Sequence, residues 1–275
     1  MTALACERPT ESGQPLGRFS VADITRTVLE RAIVPCISTA TVRRWLHELA
    51  PKPWQVQSWV FPKDPEFECK AARVLDLYHG YWEGEPLGPR DIVISADEKT
   101  CIQALRRSRV AGPTSNHGVL VDSEYVRMGT VTLLAALNVF TGTVSGKIVP
   151  KTGIGPFDGF VEELMAQEPC RSADRVFIIV DNGSSHQPKT FQNRLSARYP
   201  NAFAVHLPFH ASWLNQVEAY FSILQRKALT PKDLESTDDL TQRILDFQLR
   251  YNRTAQPFKW RSTKAGLSQC LRRVS

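Results

Sequence analysis

Apolar residues recur along this chain with two different periods, and the change from one to the other divides it. From residue 18 to 49 the spacing is helical. Ser20 can cap a first helix running from Val21 to Arg31, whose apolar face is Ile24, Val28 and Leu29. Ile33-Val34-Pro35-Cys36-Ile37 breaks it. Ser38 or Thr39 then caps a second helix through Leu49, with Val42, Trp45, Leu46 and Leu49 as the buried stripe. Arg43 and Arg44 fall on its outer side, beside Thr39 and Thr41. Between 50 and 90 the pattern is interrupted by Pro51, Pro53, Trp54, Trp59, Pro62, Pro65, Trp82, Pro86 and Pro89. A helix is expected from about Pro65 to Trp82, inside a semi-rigid linker.

Beyond Arg90 short continuous apolar runs take over. Ile92–Ala96 and Val176–Val180 read as buried strands, and Thr130 to Val149 as a hairpin turning at Thr141-Gly142. Helices are expected over Phe157–Met165, Phe191–Ala197 and Trp213–Lys227, with a short strand at Phe203–His206. This order predicts an α/β layered domain in which helices cover a mixed sheet. The expected organisation is a helix pair in 1–50, a linker in 51–90 and the α/β domain in 91–275.

Composition narrows the class. The 275 residues are 42% hydrophobic and 23% charged, ordinary for a water-soluble globular protein. No apolar run reaches the roughly 20 residues that cross a membrane, and the N-terminus lacks a signal-peptide pattern. Six scattered cysteines without a C-x-x-C pair argue against a zinc site or a disulfide scaffold, and suit reduced thiols in the cytoplasm. The net charge of +6 lies entirely after Glu218, because the segments 1–90 and 91–218 each balance to zero. A basic tail beside acidic residues suits a bound polyanion, and equally a solvated surface.

The candidate chemistry lies in three carboxylates. Asp97 and Asp181 each end an apolar run, and Glu218 sits in Ser212-Trp213-Leu214-Asn215-Gln216-Val217-Glu218, which reads as the start of a helix. A carboxylate at the end of a buried strand is costly to desolvate unless a cation compensates it. Magnesium takes oxygen ligands with one or two carboxylates per ion, and two ions about 3.5–4 Å apart can serve an in-line phosphoryl displacement. Glu98 rivals Asp97, since neighbouring strand residues point to opposite faces. Asn215 and Glu218, three apart, share a helix face, so Asn215 can orient the glutamate, while Trp213, Leu214 and Val217 form the apolar stripe. Asp181 heads Asn182-Gly183-Ser184, which is also a turn sequence. Ser184 and Ser185 lack the arginine cluster that a serine nucleophile would need.

The segments Ser95-Ala96-Asp97-Glu98-Lys99-Thr100, Arg127-Met128-Gly129-Thr130, Val180-Asp181-Asn182-Gly183-Ser184-Ser185-His186 and His210–Glu218 together resemble the mariner-type DDE transposases, in the branch encoded by bacterial insertion sequences. Tyr251-Asn252 with Pro257-Phe258 also fits, and 36 residues separate Asp181 from Glu218. The resemblance implies an RNase H-like fold, two Mg²⁺ or Mn²⁺ ions held by Asp97, Asp181 and Glu218, and supporting roles for Asn215, His186 and Asn182. It implies cleavage of transposon ends and their joining to target DNA by a homodimer on DNA, in a bacterial, nucleoid-associated setting. It also makes residues 18–49 a helix-turn-helix, with Thr39, Thr41, Arg43 and Arg44 on DNA. Arg226, Lys227, Arg250 and Arg253 would hold the DNA backbone. Relatives carry two such modules, so the single one here suggests a shortened N-terminus. The alternative is an inactive, transposase-derived DNA-binding protein or repressor.

Overall fold

The computed structural model describes residues 4, 7, 9–13, 15–16, 19–48, 64–106, 110–114, 117–121, 124–230 and 234–272. Contacts divide the chain into two units, 1–60 and 61–275.

The first unit holds α1 (Val21–Glu30) and α2 (Thr39–Glu48). Ser20 caps α1 reciprocally: the Asp23 amide donates to Ser20 Oγ at 3.2 Å, and the Ser20 amide donates to Asp23 Oδ2 at 3.0 Å. Ser38 starts α2, its Oγ accepting from the Thr41 amide at 3.1 Å. Ile24, Val28, Val42 and Leu46 bury against Leu4 and Phe19. Leu29 and Trp45, expected in these stripes, are instead 40% and 41% exposed. Each helix closes its core with one i,i+4 pair, and one position farther round the helix, about 100°, already faces water. Leu49, the last expected stripe residue, lies outside the described residues, as do residues 51–63 of the expected linker.

Within the second unit, α3 (Phe67–Tyr78) is shorter than expected. Gly80, with φ of 82°, ends it, and a small hairpin follows, β1 (Tyr81–Trp82) with β2 (Glu85–Pro86). Phe67, Ala71, Val74 and Leu75 of α3 pack on the sheet rather than spanning a gap.

The sheet has five strands in the order β7-β6-β3-β8-β9: β3 (Asp91–Arg106), β6 (Val126–Asn138), β7 (Val144–Val149), β8 (Arg175–Val180) and β9 (Ala202–His206). The first three form an antiparallel meander, and β8 and β9 run parallel to β3. This is a mixed sheet flanked by helices, as the apolar runs predicted. The β6–β7 turn lies where Thr141-Gly142 placed it: Asn138 Oδ1 accepts from the amides of Phe140 and Thr141, and Gly142 takes φ of 74°. A further hairpin, β4 (Val110–Thr114) with β5 (His117–Val121), was not foreseen.

One face of the sheet is covered by α4 (Ile154–Ala166) and α5 (Pro188–Arg198), over Ile94, Ala96, Ile178 and Val180. The opposite face meets α3 over Val93, Phe177 and Ile179. Farther along that same face lie α6 (Val217–Lys227) and α7 (Thr237–Asn252), over Leu133, Ala135 and Leu137. A final helix, α8 (Lys264–Arg272), follows. At the outer edge, Asn252 of α7 bonds β7 twice: its Nδ2 donates to the Val144 carbonyl at 2.8 Å, and its Oδ1 accepts the Val144 amide at 2.9 Å. No helix among the described residues is long and apolar enough to cross a membrane.

Candidate metal centre

Asp97 does not end its strand. β3 continues to Arg106, but its parallel partner β8 stops at Val180, and the last register pair is Ser95 with Ile179. Two residues past that pair, on the same face, stand Asp97 and Asp181. Strand alternation thus aims both carboxylates into the notch left where β8 ends.

The same alternation removes Glu98 from the notch. Its carboxylate lies on the opposite face, accepting from Ser185 Oγ at 2.6 Å and Thr152 Oγ1 at 3.2 Å. Asp97 is 8% exposed. Its Oδ1 accepts the Glu98 amide at 2.7 Å and its Oδ2 accepts Asn215 Nδ2 at 3.1 Å. Burial, then the charge of Asp181, pushes the Asp97 carboxyl up to about 7, with Glu218 and Glu98 adding to the effect and the Glu98 amide opposing it.

Asn215 was expected on the helix face of Glu218, orienting that residue. It orients Asp97 instead. The segment Ser212–Leu214 is a separate 3₁₀ turn, Asn215 follows it in an extended conformation, and α6 starts only at Val217. The Asn215 amide is fully used: Nδ2 donates to the Ala96 carbonyl at 3.1 Å and to Asp97, and Oδ1 accepts Ser95 Oγ. Ser95 Oγ in turn accepts the Val217 amide at 2.9 Å, satisfying a donor of the first turn of α6. From α3, Tyr78 Oη donates to the Leu214 carbonyl at 2.7 Å. These bonds dock the start of α6 on β3 and fix where Glu218, in the first turn, emerges.

Glu218 is exposed. Partial burial of its carboxyl end raises its pKa, Lys99 opposes this, and the Asp181 charge adds to it. It lines a cavity of about 250 Å³ with Lys99, Phe221, Ser222, Gln225 and Arg226. Among the described residues, ligand-type atoms of Asp97, Asp181 and His186 lie within 4.8 Å of one another, and Glu218 stands outside this group.

Asp181 is braced differently. Its Oδ1 accepts the Gly183 amide at 2.8 Å and lies 3.2 Å from His186 Nδ1. Nδ1 also lies 3.1 Å from the Asp181 carbonyl, so the two acceptors place the proton on Nδ1. Nε2 is buried without a partner. Burial holds His186 down at about 4, against the raising effect of the Asp181 charge, so the ring is neutral at pH 7. Gly183 is required by close approach: a Cβ there would lie 2.9 Å from His186 Cε1 and 3.0 Å from Asp181 Oδ1. Asn182 points away, Nδ2 donating to the Leu207 carbonyl at 2.8 Å.

No lysine or arginine among the described residues forms an ion pair with Asp97, Asp181 or Glu218, and the contact of Asp181 with the neutral His186 is a hydrogen bond and not an ion pair. Converging oxygen donors, two of which, Asp97 and Glu218, are raised by burial and by the Asp181 charge, suit a hard divalent cation, so the donor set fits the metal that the sequence pattern implied.

The expected DNA contacts are dispersed. Arg226 lies at the Glu218 cavity, whereas Lys227 and Arg250 line a separate groove of about 840 Å³ shared with Glu235, Asp239 and Asp246. Arg253 is exposed past α7. Thr39, Arg43 and Arg44 are exposed on α2, and Thr41 is half-buried. Trp213, expected in the α6 stripe, is 47% exposed. Sequence reasoning missed the bracing roles of Ser95, Tyr78 and Gly183. A lone serine inside the run Ile92–Ala96 was the available signal for the first.

A family model described as DDE superfamily endonuclease matches residues 93–241. Among solved structures, the Mos1 mariner paired end complex with Mn aligns with TM-score 0.53 at 12% identity, over 95% of this chain and 77% of that one. The paired end complex with Mg gives 0.53 at 13%, over 95% and 80%. The Mos1 strand transfer complex gives 0.52 at 12%, over 96% and 82%. These likenesses establish the RNase H-like fold. No curated protein matches the chain.

Proposed function

We propose, on the premise that this chain belongs to the DDE superfamily endonucleases, that it is a mariner-type transposase of a bacterial insertion sequence. It cuts the element's ends and joins them to target DNA. The observation that carries the reading is Asp97: a carboxylate raised first by its burial and then by its acidic neighbours, and paired with no cation among the described residues. Structures similar in fold are complexes of a mariner transposase with a transposon end and with Mn or Mg, which supports DNA and a divalent metal as its partners.

Asp97, Asp181 and Glu218 would hold the two ions. Bound there, Mg²⁺ or Mn²⁺ would activate the attacking oxygen and stabilise the departing 3′ oxygen. The chain's own residues set the geometry. Asn215 and the Glu98 amide fix both oxygens of Asp97, so that its remaining lone pairs face the notch. His186 and the Gly183 amide hold Asp181 Oδ1 and leave Oδ2 free for a ligand. Lys99 and Arg226, beside Glu218, supply positive charge for a phosphate. No covalent protein–DNA intermediate is needed, because phosphoryl transfer depends on positioning and charge stabilisation. Residues 18–49 would read the terminal inverted repeats, and two copies would pair the two ends.

The test is incubation of the protein with end-bearing DNA and Mg²⁺, followed by separation of cleavage and strand-transfer products. Products that persist in Asp97→Asn, Asp181→Asn and Glu218→Gln sink the assignment of the ligands. Binding without any product supports a repressor instead.

A further inference from the structure

The segment 207–215 is tied at both ends to the metal centre. At its start, the Leu207 amide donates to the Val180 carbonyl at 2.9 Å, and the Leu207 carbonyl accepts Asn182 Nδ2 beside Asp181. At its end, Asn215 bonds Asp97. Between them the backbone is held by further bonds. The Phe209 amide donates to Asp64 Oδ2 at 3.3 Å, the Ala211 amide to the Pro208 carbonyl at 3.2 Å, and the Leu214 amide to the Ala211 carbonyl at 2.9 Å. Leu207, Ala211 and Leu214 are buried. His210 adopts φ of 60°, a left-handed conformation that persists in a non-glycine residue only where its surroundings enforce it.

On this rigid strap two large rings face solvent, Phe209 at 51% and Trp213 at 47% exposed. Trp82 and Trp260, by contrast, pack against the core. Trp213 is two residues from Asn215, so its Cα lies within about 7 Å of a residue that touches Asp97. Lys70 Nζ, ion-paired with Asp64 and Glu66, lies 5.7 Å from the Phe209 ring centroid and helps hold that ring in place. Exposed rings on a segment bonded at both ends to residues of a phosphate-handling site match the π-face chemistry of an unstacked nucleobase.

We propose that Trp213, with Phe209, is a stacking platform for a base unpaired next to the cleaved phosphodiester. This rests on the reading that the site handles DNA. The platform reads the π-face of a base and not its edge, so it favours a distorted or single-stranded junction over intact duplex without fixing a sequence.

The test is fluorescence anisotropy, in metal-free buffer, with a labelled oligothymidylate and an abasic oligonucleotide of equal length and charge. Wild-type protein binds the base-bearing strand on the order of tenfold more tightly. Trp213→Ala removes most of that preference and leaves abasic affinity unchanged; Trp213→Phe keeps part of it. Asp97→Asn keeps it whole, so a failed catalytic assignment and a failed platform give different results. Equal wild-type affinity for the two strands, or a preference that survives in Trp213→Ala, overturns the proposal.

Discussion

Asp97 and Asp181 stand at matching positions on neighbouring parallel strands, two residues beyond the same register pair, yet they are held in different ways. Asp97 is 8% exposed, both its oxygens accept hydrogen bonds, and its carboxyl is pushed up to about 7. The Asp181 side chain is 36% exposed, and its contacts converge on Oδ1. The contrast follows from what comes next in each chain. β3 runs on through the sheet beyond Asp97, whereas β8 ends and Asp181 opens into a loop. The buried member has its direction fixed and its charge uncompensated; the open member can adjust to what binds.

The comparison breaks first on the ligands themselves. Asp97→Asn and Asp181→Asn are each expected to lower single-turnover cleavage on the order of 10³-fold, as loss of a major electrostatic stabiliser does. Either variant cleaving at the wild-type rate would remove that residue from the site. The braces come next. Asn215→Ala should weaken divalent-metal affinity about 10- to 100-fold, as loss of a group that orients a ligand does. His186→Ala should cost less, because Asp181 keeps the Gly183 amide. Isothermal titration with Mn²⁺ gives the order, and the reverse order would mean that Asp181 is the rigid member.

A smaller effect separates the two sides by pH. The Asp97 carboxyl is raised from 3.8 to about 7, so the stability it contributes is fully present below about pH 4 and is lost as pH rises through 7. His186 is lowered from 6.5 to about 4, so its contribution is present above pH 6.5 and is lost as pH falls through 4. Between these limits the two oppose each other. Metal-free His186→Phe should therefore melt at lower temperature as pH rises from 5 to 7, and metal-free Asp97→Asn at higher temperature, by a few degrees in each case. Saturating Mg²⁺ should remove most of the Asp97 contribution. The smallest change is expected from Glu98→Gln, which leaves cleavage within a few-fold of wild type, since Glu98 is bonded on the opposite face of the sheet.

The sheet was legible because its central strands are continuous apolar runs, and the helix pair because Ser20 and Ser38 are good caps beside clear stripes. Legibility failed where long-range contacts override local pattern. Ser212–Glu218 has helical spacing, yet Ser95 and Tyr78, far away in the chain, capture Val217 and Leu214 and delay the helix to Val217. The same capture turns Asn215 toward Asp97 and leaves Trp213 outside. The continuation of β3 past Asp97 was hidden because the polar residues Asp97-Glu98-Lys99-Thr100 read as a turn, whereas β6 pairs with them throughout much of that stretch. The choice between Asp97 and Glu98 needed the sheet's two faces to be identified, and only Ser185, Thr152 and Asn215 together identify them.

The double bond from Asn252 to Val144 has a consequence for how copies of this chain can meet. β7 is an edge strand, and an exposed edge offers its amides and carbonyls to any other strand that arrives. Asn252 occupies the donor and acceptor of Val144 with a side-chain amide, much as an incoming backbone would. Gln248, one helical turn earlier, fills the space over Gly146, where a Cβ would approach its Oε1 to 2.4 Å. At Val144 the edge is thereby closed to sheet extension, while Gln248 covers the sheet face at Gly146. A strand arriving there would first have to displace the Asn252 amide, so this part of the edge is guarded against indiscriminate strand addition.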